Sequence, residues 1–417
     1  MAIVGSGEAT WSMEETMMAK AKSKPRGKKK PRRRSVSLAL DQIVERFESL
    51  PDPRDDKNKR HKLVDIVVIS VCGVICGCDS FTNIETFGKA KLAFFESFLE
   101  LPNGIPSHDT FTRVFARLDP EAFQQAFFEW VKELRTVRSW DKRKGKGPVL
   151  GCDGKTLRGS HDRAAGLGPL HSVSLWLAED HLSLGQLAVD KKSNEITAIP
   201  KLLEMVDVAG TIVTIDAMGC QKTIVKKIRQ RGADYVIMVK GNQQSLLDQV
   251  IGFLDSTLAN HEACTKRNLY TTHERGHGRE EHRTYYQFPL TSELGHLRKD
   301  WRDLRTVGVV MSRRIVDGKE QVEQRFYISS LPLNVKEFAR AVRGHWGIEN
   351  SLHWVLDMTF GEDRCRARKG HAALNLGWIR RFTAGLLKKN PSKESTRAKR
   401  LRAGWDEDFL LEVLTAQ

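Results

Sequence analysis

The sequence predicts a mixed α/β protein in which a helical segment precedes a domain of strands and helices. Three observations carry that expectation. Apolar residues recur at helical spacing through residues 38–140. Three apolar extended runs then follow in quick succession after Gly147, and beyond them extended and helical runs alternate.

The chain has 417 residues, enough for two or three domains, and 40% of them are hydrophobic, which supports a folded protein rather than a disordered one. Its formal charge of +16 favours a polyanionic partner, either nucleic acid or an anionic surface. The longest nearly apolar run, residues 66–78, is too short to span a bilayer, and no apolar stretch precedes the N-terminal charges as in a signal peptide. A membrane role is therefore not expected. Seven cysteines without regular spacing fit a reducing compartment, which places the chain in the cytoplasm.

Residues 1–37 form a basic tail with ten Lys/Arg against three Glu, or +7 of the total charge. Its run KAKSKPRGKKKPRRR has almost nothing to bury, so a solvated, disordered arm able to touch phosphates nonspecifically is expected.

Residues 38–140 read as a helical domain. LALDQIVERFESL has helical periodicity, and a strongly apolar helix spans residues 62–76. Ser107 is placed to cap HDTFTRVFARL, and Asp119-Pro120 to start EAFQQAFFEWVKEL. Such a pair of helices suits either DNA reading or an ordinary bundle. Cys72, Cys76 and Cys78 lie among Val, Ile and Gly without a nearby His, as small buried residues do.

After the linker DKRKGKGP come the strands PVLGCDG, HSVSLWLAED and LSLGQLAVD. The helix ITAIPKLLEMVD, the strand TIVTIDAMG, the helix KTIVKKIRQRG, the strand DYVIMVK and the helix QQSLLDQVIGFL complete the order β-β-β-α-β-α-β-α. The first three strands are close enough for a meander, and the later ones imply parallel crossovers. Residues 264–333 alternate again as a β-rich insertion, residues 334–390 return to helix, and 391–417 form a C-terminal extension. The main domain thus covers residues 147–390.

Asp153 lies at the end of the first of these strands and Asp216 at the end of the fourth, 63 residues later. In a mixed sheet of this order those strands are neighbours, so two carboxylates meet. Such like charges need a cation, and hard oxygen donors suit Mg²⁺ or Mn²⁺. Glu349, 133 residues further on in RGHWGIENSLHWVLD, completes a triad able to hold two ions for phosphoryl transfer. Each Asp also fits a helix cap or turn. His345, Glu349 and His353 fall at i, i+4 and i+8, a column that also offers zinc ligands, although the H-E-x-x-H spacing is absent. Asp357, Glu362 and Asp363 are rival third ligands. Lys155, Arg158, Lys240, Arg364, Arg366 and Arg368 are candidate phosphate contacts, and Trp346 and Trp354 are candidates for base stacking or for core packing.

The segments CDGKTLRGS, TIDAMGCQ, DYVIMVKGNQ, HGREEHR, RFYISSL and GHWGIENSLHWVLDMTFGEDRCR together resemble bacterial insertion-sequence transposases of the DDE type. More narrowly, they resemble the subgroup that includes the H-repeat-associated proteins. The likeness runs from about residue 39 to the C-terminus. It implies an RNase H-like catalytic core with a β-rich subdomain inserted between the second Asp and the Glu, preceded by a helical transposase-associated domain. It implies Asp153, Asp216 and Glu349 as the DDE triad, two Mg²⁺ or Mn²⁺ ions, element ends and target DNA as partners, and a homodimer or higher oligomer on DNA. A nuclease without strand transfer, or an inactive DNA-binding remnant, are the rival functions. Related transposases often carry Tyr-x₂-Arg-x₃-Glu-x₆-Lys around the glutamate. Here Val342, His345, Glu349 and Leu356 occupy those positions, so Arg343 and His345 are the substitutes expected to contact phosphate. The basic tail has no counterpart in the subgroup.

Overall fold

A computed structural model describes residues 33–135, 147–162, 166–189, 195–259, 265–276 and 278–415. The basic tail up to residue 32 and most of the expected linker lie outside these residues. Residues 33–37, read as tail, open helix α1 (Arg33–Glu48).

Among the described residues, six α-helices precede the sheet: α1, α2 (Leu63–Ile75), α3 (Phe81–Ala90), α4 (Leu92–Glu96), α5 (His108–Arg117) and α6 (Pro120–Leu134). Twelve of the thirteen residues of α2 are buried, as expected for a helix that is apolar all round and lies inside the protein. No helix among the described residues is long and apolar enough to cross a membrane. Cys72 and Cys78 are buried beside α3 and carry no disulfide, and burial pushes each thiol up to about 12. Ser107 accepts the Thr110 N–H, and Asp119 accepts the Ala122 N–H ahead of Pro120, so both helix starts stand where their caps put them. Asp119→Ala is expected to cost about 1 kcal/mol, read as a lowered urea midpoint with an unchanged slope.

The sheet contains β1 (Val149–Leu157), β2 (Leu170–Leu177), β3 (Leu182–Val189), β4 (Ile212–Ile215) and β5 (Asp234–Val239), with α7 (Glu195–Met205), α8 (Lys222–Gln230) and α9 (Gln244–Ala259) between or after them. Strands β6 (Leu269–Gly276), β7 (Arg279–Pro289), β8 (Thr306–Val316) and β9 (Lys319–Ser329) follow. β1 to β3 form the antiparallel meander, and β4 pairs in parallel with both β1 and β5. The strands of residues 264–333 do not stand apart as a β unit. β9 bonds antiparallel to β5, so the nine strands of the described residues make one sheet in the order β3-β2-β1-β4-β5-β9-β8-β7-β6.

The chain ends in α10 (Val335–Gly347), a π-helical turn (Ile348–His353), α11 (Trp354–Met358), α12 (Ala372–Lys389), α13 (Thr396–Trp405) and α14 (Glu407–Leu414). α12 is the hub. Its Trp378 and Phe382 meet Phe127 of α6 edge-on, with ring centroids 6.1 and 4.8 Å apart, and Phe127 meets Phe47 of α1 at 4.9 Å. A single apolar cluster therefore runs from Ile43 through the sheet to Leu414. Apolar packing crosses the positions near residues 140 and 390 where the texture of the sequence changes.

Candidate metal centre

β4 ends at Ile215, the register partner of Cys152, and the chain then turns. β1 does not end there. It continues to Leu157, paired beyond Cys152 with β2 alone. Asp153 is therefore a mid-strand residue rather than a strand-end one, on an edge that β4 leaves open. Asp216 begins the turn that opens it, and its Oδ1 accepts the N–H groups of Met218 (3.0 Å) and Gly219 (3.4 Å). The cap expected of an isolated Asp is thus real, and it fixes the carboxylate beside Asp153. Both sit where the parallel pair β1–β4 ends, the usual position of a crevice in sheets of this kind.

α10 lies across β1 and β4 at close range, because Gly344 and Gly347 face the sheet. A Cβ at either would fall 2.7 Å from Val149 or from the Trp176 ring. Glu349 follows in the π-helical turn, a form often found at functional sites. The widened turn breaks the α-helical step on which the His345–Glu349–His353 column was predicted. Its members turn to different partners. His345 Nδ1 is 3.2 Å from Thr214 Oγ1, and His353 Nδ1 is 3.5 Å from Asp153 Oδ2.

The electrostatics are those of crowded carboxylates. Burial, with Asp216, Glu349 and Glu195 adding repulsion, raises Asp153 to about 7, against one opposing hydrogen bond from the Gly154 N–H. Burial also raises Glu349, helped by Asp216 and opposed by the Arg325 guanidinium. His345 and His353 are pushed down by burial to about 4 and about 3, so both are neutral near pH 7. His345 cannot supply the phosphate-binding charge expected of it, because it is buried and uncharged.

Lys155 also departs from expectation. It is 7% exposed, and its Nζ lies 2.6 Å from Asp357, 3.3 Å from Asp363 and 3.5 Å from Glu362. Glu362 in turn meets Arg381 at 3.0 Å. These acids, rivals to Glu349 in the sequence, neutralise buried cations. Lys155 is a structural counter-ion with no face for a phosphate.

The other candidate cations are more open. Arg158 is 82% exposed and 3.4 Å from Asp363, Lys240 is exposed after β5, and Arg364 and Arg366 are exposed. Arg368 donates weakly to the Gly159 carbonyl at 3.4 Å. Arg343 pairs with Glu274 of β6 at 3.1 Å. Trp354 is 59% exposed, whereas Trp346 lies under the Arg325 guanidinium at 4.1 Å.

Two features have no single-sequence signal. Glu195 of α7 and His171 of β2 are buried and meet at 2.6 Å behind Gly154, where any Cβ would collide with both. Beside Glu349, a groove of about 610 Å³ opens between α10 and strands β7–β9. Arg279, Arg283, Arg314, Arg325 and Arg343 line it with Trp346 and Asn350, against Glu281 and Glu323. Four of these arginines sit on β7, β8 and β9 and Arg343 on α10, so their convergence depends on the sheet order and on where α10 packs.

Comparison with known proteins adds independent findings. The family described as "Transposase DDE domain" matches residues 144–386, and the one described as "DDE_Tnp_1-associated" matches residues 44–131. "Putative transposase YncI" of Escherichia coli O157:H7 is 37% identical over 91% of this chain and 96% of its own length. "H repeat-associated putative transposase YhhI" of Escherichia coli strain K12 is 36% identical over 90% of this chain and 98% of its own. A piggyBac transposase, solved as a synaptic complex with hairpin DNA, covers 91% of this chain and 78% of its own at 10% identity and a TM-score of 0.37, too low to carry an argument.

Proposed function

This chain belongs to the transposase DDE domain family, and from that premise we propose that it cuts the ends of its own mobile element and joins them to target DNA. The reading rests on Asp153 and Asp216 following paired residues of β1 and β4, and on the Asp153 carboxyl, which burial first and then repulsion from Asp216, Glu349 and Glu195 raise to about 7. Carboxylate oxygens so crowded, with neutral imidazoles beside them, fit hard divalent cations. Among the described residues, the side chains whose ligand atoms all lie within 4.8 Å of one another are His273, Glu280 and His282, not the triad. The triad is all carboxylate, and its members repel one another, which fits hard divalent ions. We assign it two Mg²⁺ or Mn²⁺ ions, which when bound supply an activated water and a stabilised leaving oxygen at the scissile phosphodiester.

The protein's own residues do the positioning. Asp216 is oriented by its two turn amides, Glu349 follows α10 in the π-helical turn, and the close β1–α10 contact brings that turn against β1. The meander with the parallel β4 and β5 gives the order β3-β2-β1-β4-β5, which supports an RNase H-like core. The arginine groove beside Glu349 suits a DNA backbone, and Arg158, Lys240, Arg364 and Arg366 extend the positive surface. Synapsis of two ends requires at least a dimer. The free thiols fit the reducing cytoplasm.

Incubating the full chain with element-end DNA, target DNA and Mg²⁺ tests the reading. Joined products are expected, whereas cleaved ends that never join would make the protein a nuclease on the same site. For the groove, Arg314→Ala is expected to weaken DNA binding about equally on all sequences and to reduce the salt slope by about 1. Fluorescence anisotropy over a salt series measures both, and an unchanged slope would remove Arg314 from the DNA path.

A further inference from the structure

On the β6–β7 hairpin, at the edge of the sheet, His273 and His282 are direct cross-strand partners, so their side chains leave the same face. Their rings stack at 4.0 Å and 8°. Glu280, two residues before His282, places Oε1 at 2.8 Å from His273 Nε2 and 3.0 Å from His282 Nε2. Glu274 and Glu281, facing each other one position along, leave the opposite face, where Glu274 meets Arg343 and Glu281 lines the groove. The histidine face has no part in the carboxylate triad.

We propose that His273, Glu280 and His282 form a transition-metal site, with Zn²⁺ the fitting class of ion, that pins the edge hairpin β6–β7. Two imidazoles and one carboxylate suit zinc better than Mg²⁺, and three protein ligands leave a position open to water. Glu280 Oε1 lies between the two imidazoles, within reach of both Nε2 atoms. The basic groups nearby leave it available: Arg313 is paired with Glu320 at 2.7 Å, and Arg275, the cross-strand partner of Glu280, is exposed. A metal here would tie the two strands at the point where the sheet's last strand has no further neighbour. It would also hold steady the hairpin whose other face reaches Arg343.

The test uses the full chain without an affinity tag, with excess Mg²⁺ to occupy the carboxylate triad. Co²⁺ is titrated while its visible d–d absorption is followed, and Zn²⁺ is then added. One equivalent of Co²⁺ is expected to bind, to be displaced by one equivalent of Zn²⁺, and to leave Asp153→Asn unaffected. His273→Gln and His282→Gln, which keep a hydrogen-bonding group toward Glu280, are each expected to weaken binding at least tenfold without changing the far-ultraviolet circular dichroism. No stoichiometric binding, or a band that survives both glutamine variants, would overturn the site and leave two histidines that only hydrogen-bond to Glu280.

Discussion

Asp153→Asn is expected to lower Mg²⁺-dependent cleavage of element ends by about a thousandfold or more while making the metal-free protein more stable. The first effect follows from several kcal/mol of transition-state charge stabilisation lost with a metal ligand, at about 1.4 kcal/mol per decade of rate. The second follows from the crowding. Burial first, then Asp216, Glu349 and Glu195, raise Asp153 to about 7 from an ordinary value of 3.8. The folded chain therefore holds a proton there more tightly than the unfolded chain does. Without metal, stability falls as pH rises from about 4 through about 7, and the loss is complete above that. Its ceiling is about 4 kcal/mol. At pH 8 the metal-free Asn variant should melt above the wild type, and Mg²⁺ should close the gap by stabilising only the wild type. Melting curves with and without Mg²⁺ at pH 5 and pH 8 check both signs. A variant that melts lower at pH 8 would mean that Asp153 is held by a partner rather than repelled.

Glu362→Gln is expected to destabilise the protein by about 3–5 kcal/mol, the usual result of removing one partner from a buried ion pair. The side chains of Glu362 and Arg381 are both 0% exposed and meet at 3.0 Å, and Lys155 lies 3.5 Å away on the other oxygen. The amide keeps the shape but leaves two buried cations short of charge. A large drop in the urea midpoint with an unchanged slope is the expected signature. Adding Arg381→Met should restore part of the loss, because the remaining cation, Lys155, keeps Asp357 and Asp363. An additive double variant would show that Arg381 and Glu362 are not energetically coupled.

These two sites mark how far the sequence could be read. Local signals were legible because local chemistry sets them: Ser107 and Asp119 cap the helices they precede, and the runs around Val149, Leu170 and Leu182 become β1, β2 and β3. The neighbourhood of Asp153 and Asp216 was also legible, since strand order alone makes β1 and β4 a pair. Long-range pairing was not. Nothing near Phe326 indicates that β9 will bond to β5, so the later strands read as a separate unit although they extend one sheet. Burial of charge was illegible for the same reason. Lys155 and His345 look like surface cations until β1, α10 and the 357–363 segment close around them. The position of Glu349 depends on a π-helical turn that an ideal 3.6-residue step cannot anticipate.

The most direct test of the carboxylate triad is a change of metal preference. Asp153→Cys, Asp216→Cys and Glu349→Cys, each assayed for element-end cleavage, replace a hard oxygen with a softer thiolate that favours Mn²⁺ over Mg²⁺. The expected result for each is loss of cleavage in Mg²⁺ and partial recovery in Mn²⁺, with Glu362→Cys showing no such switch. Full Mg²⁺ activity in Glu349→Cys would contradict the account, because it would remove that glutamate from the metal centre.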